Sequence, residues 1–83
     1  MEPRERFAVN LRAARKKVRI SQEELGFRTQ LHRTEISLLE RGKREPRLGT
    51  IVKLSSALGT TPNTLTTGIA WNPDKHTYAI KSE

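Results

Sequence analysis

Apolar residues recur along this chain at helical intervals of three and four, but only in short bursts, and each burst is bounded by residues that start or stop a helix. That punctuation permits several short helices and forbids any long one. Phe7, Leu11, Ala14 and Val18 form the first stripe and predict helix 1 from about Pro3 to Val18, with Pro3 tolerated in the opening turn. Ser21-Gln22-Glu23-Glu24 reads as a capping box, the serine hydroxyl accepting from the Glu24 amide and the Glu24 carboxylate reaching back to the Ser21 amide. Helix 2 starts there, turns Leu25 inward with Gly26 beside it, and ends at Thr29-Gln30-Leu31. Ile36 and Leu39 then predict helix 3 from about His32 to Arg41, closed by a left-handed Gly42. After a basic loop from Lys43 to Pro46, the residues Leu48, Ile51, Val52, Leu54 and Leu58 give the apolar face of helix 4, Leu48 to Leu58. Thr61 as N-cap, Pro62 at the first helical position and an inward Leu65 predict helix 5, ending near Thr67 and Gly68.

The tail has a different period. Ile69 and Trp71, then Asn72-Pro73-Asp74-Lys75, then Tyr78 and Ile80 alternate around a turn cluster, as in a β-hairpin. An isolated two-stranded hairpin is marginal in water, so its apolar face needs either the helices or a second subunit to rest on; the other reading is a frayed tail. The expected organisation is therefore an all-α unit over residues 1–67 and a tail over 68–83. At 83 residues there is room for one core. A chain of this size buries only about 60 to 65% of its unfolded surface, which makes self-association favourable and a dimer the expectation.

Charge narrows the partners. Sixteen Lys and Arg against nine Asp and Glu leave a net charge of +7 and a pI near 10.6. A polyanion is the natural counterpart. The cations cluster: Arg12, Arg15, Lys16, Lys17 and Arg19 end helix 1, and Arg41, Lys43, Arg44 and Arg47 follow helix 3. A solvated, solubilising surface would explain one such cluster less awkwardly than two flanking one motif. With no cysteine, disulfides, thiolate metal sites and cysteine nucleophiles are excluded. His32 and His76 have no second ligand at metal spacing, and no nucleophile, base and orienter are spaced for catalysis. No enzyme activity, metal or cofactor is expected. The absence of an apolar run near the roughly 20 residues that span a bilayer, and of a signal-peptide core, predicts a soluble protein of the cytoplasm.

Helices 2 and 3, joined by a tight turn and framed by helices 1 and 4, have the helix-turn-helix arrangement. Burying Ile36 and Leu39 turns Arg33, Thr34, Ser37 and Leu38 outward. In such a motif the leading residues of the second helix reach base edges in the major groove. The Arg33 guanidinium can donate two hydrogen bonds to O6 and N7 of a guanine, worth roughly 1 to 3 kcal/mol of discrimination. Thr34 and Ser37 can donate or accept, and the Thr34 methyl or Leu38 can touch a thymine methyl. Glu35 in that setting needs an arginine partner or free exposure. The first turns of helix 2, at Gln22, and of helix 4, at Arg47 and Leu48, offer free amides for phosphate, with His32, Lys43 and Arg44 nearby. The Gln22 side chain can bond a phosphate or brace Arg33.

Three segments, Ile20-Ser21-Gln22-Glu23-Glu24-Leu25, Leu31-His32-Arg33-Thr34-Glu35-Ile36-Ser37 and Leu39-Glu40-Arg41-Gly42-Lys43-Arg44 with Pro46, together resemble the phage repressor and Cro-like (XRE) helix-turn-helix family over residues 5–67. The resemblance implies a five-helix bundle that binds operator DNA as a dimer. It implies Gln22 as a phosphate contact, Arg33, Thr34 and Ser37 as base readers, and the loop from Lys43 to Arg47 as a backbone or minor-groove contact; Arg41, just before that loop, is a further candidate for the DNA backbone. It also implies a partly buried ion pair between Arg15 and Glu40. The sequence departs from the family's pattern at Gln30, where glycine is usual, at Gly26, where alanine is common, and at Phe27, where a polar residue is common. Phe27 is a candidate contact for the tail.

The expected function is a transcriptional regulator, a homodimer reading two half-sites of double-stranded DNA, with Ile69, Trp71, Tyr78 and Ile80 joining the subunits. The alternative is a protein-interaction module, such as the antitoxin of a toxin pair, that binds its partner through the tail. RNA fits less well, because a short helix does not enter the deep, narrow groove of an A-form duplex.

Overall fold

The computed structural model describes residues 1–80, and the last part of the expected tail, 81–83, lies outside them. Five helices run in the order α1 (Pro3–Lys17), α2 (Gln22–Thr29), α3 (Arg33–Glu40), α4 (Leu48–Ala57) and α5 (Pro62–Thr66), followed by strands β1 (Ile69–Asn72) and β2 (Thr77–Ile80). Each helix begins and ends within a residue or two of its sequence expectation, the ordinary uncertainty of a fraying terminus.

The caps differ from expectation in one detail. The Glu24 amide donates to Ser21 Oγ at 2.9 Å, but the Glu24 carboxylate accepts from Arg28 Nε at 2.9 Å instead of turning back to Ser21. An arginine one turn on the same helix face competes for that carboxylate, and a charged donor outbids a neutral amide. The reciprocal arrangement occurs at α1, where the Glu2 amide donates to Glu5 Oε1 at 2.7 Å.

The core consists of Phe7 and Leu11 from α1, Leu25 from α2, Ile36 and Leu39 from α3, Leu54 of α4 with Leu58 just beyond it, and Leu65 from α5. Helix α1 packs on α3 and α5, and α2 packs on α3 and α4. The Asn10 amide fastens α1 to the end of α5 by donating to the carbonyls of Leu65 and Thr67, each at 2.9 Å. Two expected stripes are narrower than the periodicity suggested. Val18 caps α1 and is exposed, and on α4 the residues Leu48 and Val52 face solvent while Leu54 is buried. Leu48 and Val52 lie one turn apart, so one rotation of the helix moves both out of the core.

The α2–α3 turn is tighter than its residue types suggest. Gln30 closes α2 in the left-handed region (φ 59°, ψ 27°), and the Leu31 amide donates to the Gly26 carbonyl at 3.1 Å. A Cβ on Gly26 would stand 2.7 Å from the Leu31 carbonyl oxygen, a backbone atom with no freedom to yield. Gly42, at φ +68°, ends α3 against the Glu5 backbone, where a Cβ would meet the Glu5 Cα at 3.2 Å.

The hairpin is antiparallel, with Ile69 opposite Ile80 and Trp71 opposite Tyr78. Its turn occupies residues 73–76, one residue later than expected, because Asn72 belongs to β1 and its side-chain oxygen accepts from the amides of Asp74 and Lys75 at 3.0 and 3.2 Å. All four apolar residues share one face, since opposed residues point the same way. Ile69 packs on the core, whereas Trp71 and Tyr78 extend beyond it, half exposed, with ring centroids 5.1 Å apart and planes at 75°.

Two substitutions report on the turn. Gly26→Ala should destabilise by about 1 to 3 kcal/mol in denaturant titrations, the overlap with Leu31 outweighing a helix-propensity gain of about 1 kcal/mol. Gln30→Gly should instead stabilise by about 0.5 to 1 kcal/mol, because relief of the left-handed conformation exceeds the entropy that a glycine adds to the unfolded chain.

Candidate nucleic-acid interface

The start of α3 is held in place by its own cap. The Thr34 amide donates to His32 Nδ1 at 3.1 Å, so the His32 ring serves as the N-cap of α3. With Ile36 and Leu39 buried, Arg33 and Thr34 are exposed and Ser37 and Leu38 partly so. Gln22, Arg33, Thr34 and Ser37 line one shallow depression of about 260 Å³. Leu38 does not line it; its carbonyl accepts from the Lys43 amide at 2.9 Å, which turns the chain into the loop.

Beneath that depression lies a buried charge. Glu40 is 2% exposed and accepts both ends of the Arg15 fork, from Nε to Oε2 at 2.5 Å and from Nη2 to Oε1 at 2.9 Å. Arg15 Nη1 also donates to the Ile20 carbonyl at 2.9 Å, and Gln22 Nε2 donates to Glu40 Oε1 at 3.2 Å. The hydrogen bond to Glu40 holds the Arg15 guanidinium above its ordinary pKa; burial opposes this and the charge of Glu40 reinforces it. One carboxylate therefore ties the end of α1, the start of α2 and the end of α3 together.

The loop from Arg41 to Arg47 surrounds the end of α3 with cations. Lys43, Arg44 and Arg47 are exposed, and Arg41 Nε leans back to donate to the Ser37 carbonyl at 3.4 Å. Arg44 is ion-paired with Glu35, so the α3 carboxylate nearest the exposed start of the helix has the arginine partner that its position demands. Arg47 is the N-cap of α4 and supplies no side-chain acceptor. The first amides of an α-helix have no partner inside it, so this end of α4 presents donors and a positive dipole outward. The tail residues Ile69, Trp71, Tyr78 and Ile80 lie in the hairpin and do not line the depression; Ile69 and Tyr78 share a separate cleft with Phe7 and with Glu45 and Pro46 of the loop.

Sequence reasoning missed the tie from Gln22 to Glu40 and a surface depression that brings Phe27, 83% exposed, together with Val52 of α4. The helical spacing of Leu48 and Val52 was visible, but periodicity does not say which of two apolar faces turns inward. Phe27 is not covered by the hairpin, which packs on α1. Among the described residues, no three His, Cys, Asp or Glu side chains are grouped to hold a metal, and no helix is long and apolar enough to cross a membrane.

Comparison with known proteins assigns this arrangement. The sequence profile of the helix-turn-helix family (HTH_3) matches residues 11–65. The control protein C.BamHI of Bacillus amyloliquefaciens is 51% identical over 49 residues, which are 59% of this chain and 60% of that protein. The chain thus matches less than two thirds of that relative's length. The restriction-modification controller protein C.AhdI of Aeromonas hydrophila superimposes with a TM-score of 0.73 at 37% identity, covering 75% of this chain and 94% of that one. The P22 c2 repressor, solved in complex with a synthetic operator, superimposes at 0.69 with 35% identity, covering 75% of this chain and 94% of that one. The chain belongs to the helix-turn-helix family and has the fold of the controller proteins and phage repressors.

Proposed function

We propose that this protein is a transcriptional regulator that binds double-stranded DNA as a homodimer, each copy laying α3 into the major groove of one half of an inverted repeat. The observation that carries the reading is the depression lined by Gln22, Arg33, Thr34 and Ser37 at the exposed start of α3, with cations and the open end of α4 beside it. Arg33 reads a guanine, Thr34 and Ser37 bond neighbouring base edges, and Leu38 touches a thymine methyl at the margin. His32, Arg41, Lys43, Arg44, Arg47 and the backbone at Gln22 take phosphates, which fix register without reading sequence. The operator complex of the P22 c2 repressor supports this mode. Such a regulator works in the cytoplasm, on the nucleoid.

In a dimer of this kind the half-sites lie about 34 to 36 Å apart, one helical turn. The hairpin is the proposed joint, because Trp71 and Tyr78 are 53% and 52% exposed on the same face as Ile69, which packs on the core. The same exposed pair favours a second reading, a protein-interaction module such as an antitoxin that takes a partner on the hairpin. The two readings part on one variant. Trp71→Ser with Tyr78→Ser should turn a sedimenting dimer into a monomer and weaken operator binding while leaving the preferred half-site unchanged. An unaltered oligomeric state would favour the partner module.

Selection of bound duplexes from a random pool at about 150 mM salt, where non-specific attachment is already weakened, should recover an inverted repeat. Arg33→Ala should then cost about 1 to 3 kcal/mol of preference at one base pair, whereas Lys43→Ala should weaken all sequences alike and lower the salt slope by about one. Identical behaviour of the two variants would remove the distinction between reader and anchor.

A further inference from the structure

The link between Gln22 and Glu40 has a polarity that charge imposes. A carboxylate offers only lone pairs, and both oxygens of Glu40 are already committed to Arg15. The third group at Oε1 must also be a donor, and Gln22 supplies it through Nε2. Turning the amide over would press its carbonyl oxygen against a buried anionic oxygen with no proton between them. In a buried, weakly polarisable setting that repulsion is severe. The amide is thus held with Nε2 on Glu40, which leaves Oε1 uncommitted in a side chain that lines the depression together with Arg33, Thr34 and Ser37.

An uncommitted carbonyl repels phosphate and attracts N–H donors. The strongest donor lining that depression is the Arg33 guanidinium. We infer that Glu40, clamped by Arg15, is a positioning residue for DNA recognition: it fixes Gln22 as an acceptor that holds the Arg33 guanidinium over the groove. This rests on the reading of Arg33 as a base contact. It assigns the phosphate contact at the start of α2 to backbone amides and gives the Gln22 side chain a different task. The buried pair then acts on base preference through Gln22, in addition to orienting the helices.

The test has one arm without DNA and one with it. In the free protein, the two Gln22 side-chain amide protons should be well separated in a nitrogen–proton spectrum and one of them slow to exchange. Glu40→Gln should return them to the positions of an exposed glutamine, because a neutral amide at 40 accepts either orientation of its neighbour. On the selected operator, Gln22→Leu and Glu40→Gln should each lower the guanine preference at the Arg33 base pair about five- to tenfold. The double variant should lose no more than either alone.

Glu40→Gln leaves the partly buried Arg15 without its counter-charge and can unfold the chain. Arg15→Met with Glu40→Leu replaces the pair by apolar side chains of similar volume, which buried ion pairs commonly tolerate, and should show the same loss of preference in a folded protein. Retained guanine preference in that variant, an unchanged Gln22 amide in Glu40→Gln, or losses that multiply in the double variant would each overturn the inference. Failure of the wild-type protein to select any motif would overturn the DNA role of both Arg33 and Glu40. The amide spectrum would then still report whether the clamp exists, which keeps the two failures apart.

Discussion

The close approach of α2 to the turn that follows it governs how α3 is presented. With no side chain on Gly26, the Leu31 carbonyl settles where a Cβ would otherwise stand, and Gln30 takes up the left-handed conformation needed to reverse the chain within a few residues. The family pattern has alanine and glycine at these two positions, and this chain departs at both. The two positions meet in one turn: the left-handed Gln30 reverses the chain, and the Leu31 carbonyl that follows lies where a Cβ on residue 26 would stand. From that fixed geometry follow the burial of Ile36 and Leu39, the exposure of Arg33 and Thr34, and the meeting of Gln22 with Glu40.

Electrostatics is divided between inside and outside. Burying an ion pair costs desolvation, and such pairs serve structural definition more than stability. Arg15 and Glu40 fit that account, because their hydrogen bonds join three helix ends whose apolar contacts alone permit some rotation. On the surface, Glu35 is neutralised by Arg44, which removes the one carboxylate of α3 that would repel a polyanion. The surface around the start of α3 is left with exposed cations and helix-end amides, a field that favours phosphate at long range and leaves discrimination to the few groups at the centre.

The hairpin meets the same constraint as any small ribbon, since two strands cannot support themselves in water. Its root is secured where Ile69 joins the core, while the outer pair, Trp71 and Tyr78, stack edge to face and stay half in solvent. The face is thus only half covered by its own bundle, with Tyr78 at the rim of a cleft that Phe7 and the loop residues Glu45 and Pro46 also line.

Most of the fold was legible in the chain because helix signals are local. Ser21, Thr61, Pro3, Pro62 and Gly42 mark helix ends through bonds and dihedral preferences within a few residues, and the three-four spacing of Phe7, Leu11, Ile36, Leu39 and Leu54 marks the buried stripe. The outward residues of α3 followed from the same arithmetic once Ile36 and Leu39 were taken as buried. The helical rotation that exposes Leu48 and Val52, the diversion of Glu24 to Arg28, and the tie from Gln22 to Glu40 were not legible. The first and last depend on contacts between residues distant in sequence, and the second on a competition between two donors that only geometry resolves. Sequence by itself determined where each helix begins and which residues it can bury, because those energies are local. Tertiary structure decided which way each helix turns and which polar groups meet, because those depend on the whole core closing at once.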